Sequence, residues 1–118
     1  MNPGKLNHLN AIADILDHAS GLTIEEDRQR SDNYCEVVIL VAELDKWHQL
    51  LTNFLGEPIK PVGAKPNDIH KELTGEFGGI NINQILYSKK TSGGTYIAML
   101  WPWQDHTLVT LKLISSKS

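Results

Sequence analysis

Asp105-His106 is the pair in this chain best placed to move a proton. A neighbouring carboxylate raises the pKa of an imidazole, and the indoles of Trp101 and Trp103 just upstream could exclude water. The same aspartate is also what a tight turn selects, because its side chain bonds its own backbone. The turn is the reading we favour. The alternative is a small-metabolite enzyme with His106 as acid-base, Asp105 orienting it, and Lys60 or Lys65 holding an anionic substrate group.

A second set of residues suits binding rather than catalysis. Lys60, Gly63 and Lys65 lie on the proline-framed stretch EPIKPVGAKP, which runs into a helix start at Asn67. Backbone amides and ammonium groups there could meet an anionic ligand, although PVGAKPND is neither a P-loop nor a dinucleotide fingerprint. Asn81, Asn83 and Gln84 place amides in a pattern that otherwise reads as buried, and Tyr96, Trp101 and Trp103 add aromatic surface. Aromatics with a few convergent amides line small-molecule pockets; at strand spacing they also fill cores and subunit interfaces.

The remaining reactive groups make no complete set. Asp14 and His18 share a helix face, as do Glu72 and Glu76, but two ligands do not hold a metal and no HExxH or cysteine spacing supplies the others. Cys35 opens an apolar strand, where a thiol behaves as a small hydrophobe. No serine sits in GxSxG. No metal and no cofactor are therefore expected, and whether the chain is an enzyme at all stays open.

These side chains need a scaffold, and much of it is legible. Leu6, Leu9, Ile12, Ala13, Leu16 and Ala19 recur at helical spacing after a start at Asn2-Pro3 and before a stop at Ser20-Gly21. Thr23 to Glu26 matches a capping box, and EEDRQRSDN reads as a polar connector with at most a short exposed helix. CEVVILVA, residues 35–42, is apolar on both alternating faces, which predicts a central strand covered on two sides. ELDKWHQLLTNFLG carries Leu44, Trp47, Leu50, Leu51, Phe54 and Leu55 on one helical face and stops at Gly56. Asn67 caps a short third helix with Ile69 and Leu73 inward.

The C-terminal third predicts strands. Ile80 to Lys89 alternates with a switch of face that a bulge near Asn83-Gln84 would reconcile. Thr91 to Gly94 is a hairpin turn, Thr95 to Trp101 a strand apolar on both faces, and Gln104-Asp105 a turn into a last strand, His106 to Ile114. The fold class is α+β: a mainly antiparallel sheet, made of one strand and a three-strand meander, with two or three helices packed on it. Residues 1–118 form one domain, with 1–34 an N-terminal helix and polar connector and 35–118 the α+β core.

Charge and composition set the partners. Residues 1–59 hold four basic and ten acidic side chains, net −6, whereas residues 60–118 hold seven lysines and four acids, net +3. With two arginines and an overall charge of −3, counterion-driven nucleic-acid binding is excluded as a leading reading. No membrane span or basic-apolar leader is visible, and the single cysteine has no partner in the chain, so a cytoplasmic protein is expected. Strands apolar on both faces require more cover than one helix gives, which points to self-association. The sequence therefore predicts a ligand- or protein-binding homodimer using Lys60, Gly63, Lys65, Asn81, Asn83, Trp101 and Trp103 against a small anionic molecule or a protein partner.

Overall fold

Strands with two apolar faces require cover on both sides, and one chain supplies both layers. The computed structural model describes residues 11–116. In order they form α1 (Ala11–His18), β1 (Ile24–Arg30), β2 (Tyr34–Leu40), a 3-10 turn (Val41–Glu43), α2 (Leu44–Leu55) and α3 (Asp68–Thr74). A second 3-10 turn (Gly75–Phe77), β3 (Ile85–Thr91), β4 (Gly94–Pro102) and β5 (Leu108–Ser116) follow. The strands pair antiparallel in one sheet, order β1-β2-β5-β4-β3, which makes the fold α+β. Among the described residues no helix is long and apolar enough to cross a membrane.

The period of two sorts the strand residues into two cores. Cys35, Val37 and Ile39 of β2 stand opposite Leu113, Leu111 and Val109 of β5. With Ala98, Leu100 and Tyr87 they pack under Ile12 and Ile15 of α1 and Trp47, Leu51, Phe54 and Leu55 of α2. The alternate residues Leu86, Ile97, Met99 and Ile114 face the other way and are closed by Ile80, Leu73 and Phe77. Each such side chain contributes roughly 1.5–3 kcal/mol when fully buried. The cover that the sequence sought in a second subunit is supplied, over β3, β4 and the end of β5, by α3 and its 3-10 turn.

Four local expectations are corrected. The stretch 24–30 is not a connector but the edge strand β1; its exposed side chains lack an apolar stripe because neither face is covered. Charge on an edge strand discourages pairing with another chain, and two register shifts against β2 bend it further. Thr23 caps no helix: its amide donates to Glu43 Oε1 at 2.7 Å, tying the start of β1 to the turn before α2. β3 begins at Ile85 rather than Ile80, because residues 81–84 close a turn in which the Asn81 amide donates to Gln84 Oε1 at 2.7 Å. On α3, Ile69 points outward and His70 and Thr74 point inward. His70 is held there by a reciprocal cap, its amide donating to Asn67 Oδ1 at 2.9 Å and its ring accepting from the Asn67 amide at 3.2 Å. The expected helix start at Asn2-Pro3 and its positions Leu6 and Leu9 lie outside the described residues.

Gly78, after the second 3-10 turn, has φ +99, and a Cβ built there would stand 2.6 Å from Trp101 Cη2. Both the backbone and the space require glycine. Gly78→Ala is expected to lower stability by about 2 kcal/mol, through strain and overpacking together. Urea unfolding followed by circular dichroism checks this, and an unchanged midpoint would refute the close approach.

Candidate functional site

Two residue sets gather the side chains that the sequence singled out. The first is built on Lys60, which is completely buried. Its backbone pairs with Leu86, the Lys60 amide donating to Leu86 O at 3.2 Å and the Leu86 amide to Lys60 O at 3.0 Å. Its ammonium donates to three carbonyls, Gln84 at 2.6 Å, Ile82 at 3.2 Å and Pro61 at 3.3 Å. The Gly63 amide, at φ +90, adds a bond to Ile82 O at 2.7 Å. Loop 57–67 is thereby laced to the turn 81–84, and burial lowers the Lys60 pKa. Lys60 and Gly63 thus meet in an internal clamp, with the ammonium turned onto carbonyls rather than outward, while Asn81 is exposed and contributes only its backbone to the turn that the clamp grips. Lys65 and Asn83 are exposed beside it.

The second set lies on the sheet face opposite α1 and α2. Trp101 and Trp103 are half-buried there, and each carries a cation: Lys112 Nζ lies 3.5 Å from the centre of the Trp101 ring, and Arg28 Cζ 5.5 Å from that of Trp103. Trp103 Nε1 donates to Thr110 Oγ1 at 2.9 Å, while Trp101 Nε1 is buried without a hydrogen bond among the described residues. Glu36 joins the set. Its Oε1 accepts from the Tyr34 hydroxyl at 2.7 Å, its Oε2 lies 3.5 Å from Arg28 Nη1, and it stands opposite Lys112 in the β2–β5 register. Burial pushes the Tyr34 phenol up, with Glu36 adding to the rise, and lowers Lys112 against the opposing pull of Glu36.

Sequence reasoning found both indoles but neither cation. The signal lay in CEVVILVA and LVTLKLI, where one charge interrupts each doubly apolar strand; strand register makes Glu36 and Lys112 neighbours.

The acid-base alternative meets a different setting. Asp105 Oδ1 accepts the Thr107 amide at 3.0 Å, and hydrogen bonds from Thr107 hold its carboxyl below the usual range. His106 is exposed, with φ 61, and its amide donates to Trp103 O at 3.1 Å. Both residues shape the β4–β5 turn. His18 Nδ1 lies 2.8 Å from the backbone oxygen of Asp14, and its ring meets Phe54 edge-on. A pair the sequence did not single out joins α2 to β3: the buried Tyr87 hydroxyl bonds His48 Nδ1, beside a shallow cleft bordered by Thr52 and Glu57. Burial raises the Tyr87 phenol to about 12 and lowers His48.

Compared with models of known protein families, with curated proteins and with solved structures, the chain gives no match.

Two outcomes follow from these environments. Lys60→Met keeps the volume but takes the ammonium from all three carbonyls, leaving Ile82 O and Pro61 O only the amides of Gly63 and Ala64. It is expected to lower stability by about 2 kcal/mol and to speed hydrogen exchange at Gly63 and Leu86, read by NMR. Unaltered exchange at both amides would show that the clamp does not hold the loop.

The second outcome concerns alkali. Burial pushes the Cys35 thiol up to about 11 from its ordinary 9.0, with Arg30 opposing and Asp27 and Glu36 adding to the rise. The folded chain then keeps a proton that the unfolded chain loses. The contribution to stability is complete below pH 9.0 and is lost as pH rises through 11. Urea midpoints should fall across that window, and Cys35→Ala should remove the part of the fall that begins at pH 9.0. A flat wild-type profile would contradict the buried thiol.

Proposed function

We propose that the chain is a non-catalytic binding module of the cytoplasm that docks a protein partner, a second copy of itself, through loop 57–67 and its surroundings. One observation carries the reading. The large hydrophobic side chains exposed among the described residues are Ile59 at 40%, Val62 at 62%, Ile69 at 64% and Ile82 at 49%. All four belong to the clamped loop, to the turn it is tied to, or to the first turn of α3. Exposed apolar groups concentrated on one segment mark an interaction site more often than scattered ones do.

The clamp supplies the second requirement of an interface. A loop already held by buried hydrogen bonds loses little conformational entropy on docking, so more of the apolar contact appears as affinity. The charges beside the patch favour a copy of the same chain. Lys65 and Lys71 alternate with Asp68 and Glu72, all exposed, so the surface can turn onto itself about a two-fold axis and pair opposite signs. The buried free thiol of Cys35 fits a reducing compartment.

Sedimentation velocity over a concentration series tests this. The wild type should shift from monomer to dimer as concentration rises, and the double variant Val62→Asp/Ile69→Asp should stay monomeric. Both positions are exposed, so the variant should unfold within about 0.5 kcal/mol of the wild type. A wild type that stays monomeric throughout would overturn self-association, as would a double variant that dimerises unchanged.

A further inference from the structure

A groove of about 1020 Å³ crosses the sheet end where the β1–β2 turn and the second 3-10 turn come together, and none of the apolar docking residues lines it. Its walls include Tyr34 and Phe77, whose rings stack with planes 20° apart and centroids separated by 6.2 Å. The Tyr34 hydroxyl is bonded to Glu36, so its polar end is already satisfied. Two carboxylates line the same groove, Asp32 from the β1–β2 turn and Glu76 from the 3-10 turn, and both are exposed.

Neither carboxylate has a basic partner among the described residues, where the ion pairs join Arg28 to Glu26 and Glu36, and Arg30 to Asp27. Lys112, the cation packed against this 3-10 turn, donates to the Phe77 carbonyl at 2.9 Å and lies over Trp101 instead. Flat aromatic surface beside unpaired carboxylates is complementary to one side chain above others. A guanidinium is planar, stacks on rings, and donates to carboxylates through a fixed fork, whereas an ammonium is a hydrated point charge.

We propose that this groove binds an arginine side chain presented by an extended segment of a partner protein, its guanidinium stacked on the Tyr34–Phe77 pair and donating to Asp32 and Glu76. The volume exceeds what one side chain fills and lies at the upper end of the roughly 300–1,000 Å³ of small-ligand pockets, leaving room for flanking residues of the segment.

An ¹⁵N NMR titration of the full chain tests it, using a blocked pentapeptide with a central arginine and its lysine and glutamate counterparts. The arginine peptide should give saturable shifts at the amides of Ser31 to Tyr34 and Glu76 to Gly78. The lysine peptide should bind several-fold more weakly and the glutamate peptide not at all. Asp32→Asn/Glu76→Gln, whose exposed positions leave the fold intact by circular dichroism, should weaken arginine binding about tenfold. No saturable shift, equal binding of the lysine peptide, unchanged binding by the double variant, or shifts gathered at Glu25 to Asp27 of β1 would each overturn the proposal. A monomeric protein that still binds the arginine peptide would separate this groove from the apolar docking surface.

Discussion

β5 is the constraint on which the rest of the structure depends. It is the middle strand of five, so its backbone must be paired on both edges, and its residues from Val109 to Ile114 are buried on both faces. Its odd-numbered positions close the core under α1 and α2, and its even-numbered positions meet α3, the second 3-10 turn and the indoles. Were the layer of α1 and α2 lost, Val109, Leu111 and Leu113 would meet water; were the other lost, Ile114 would do so together with Leu86, Ile97 and Met99 of the neighbouring strands. Each helix therefore serves the same strand from opposite sides, and the loop 57–67 between α2 and α3 is the segment that carries the chain from one face to the other.

That route explains why the crossing loop is tied down by a buried lysine. A loop passing the edge of β3 brings carbonyls of Pro61, Ile82 and Gln84 close together around the buried lysine. One ammonium with three protons reaches all of them at once, joining the amides of Gly63 and Ala64 at Ile82 and Pro61. Across the sheet, Glu36 and Lys112 fix alignment in another way. A one-residue slip of β2 against β5 would carry Glu36 into the apolar layer beneath α1 and α2 and away from Lys112, so the polar pair specifies register in strands that hydrophobicity alone leaves ambiguous.

What the sequence made legible follows from where each signal arises. α2 and α3 carry local signatures, an apolar stripe ended at Gly56 and an Asn67 cap, and both stand where those signatures put them. The hairpin at Thr91 to Gly94 is likewise local. β1 has no such signal, because an uncovered edge strand imposes no alternation on its side chains. Ile80 and Ile82 imitate a strand by spacing, while the clamp that makes 81–84 a turn comes from a residue more than twenty positions earlier. Of the candidate site, Trp101 and Trp103 were recognisable by type. The inward role of Lys60, and the partners Lys112, Arg28 and Glu36, depend on contacts between distant segments that no local pattern encodes.

The position of β5 also orders events during synthesis. The N-terminal hairpin β1–β2 emerges from the ribosome long before its neighbour in the sheet, since Tyr34 pairs with Ile114 and Leu40 with Leu108. Until residue 116 has cleared the exit tunnel, β2 exposes Cys35, Val37 and Ile39 along an unpaired edge, and α1 and α2 have only part of the surface they pack on. Contacts of such long sequence separation make folding slow and leave nascent chains vulnerable to aggregation. Closure of the sheet therefore waits for its central strand, the last of the five in chain order.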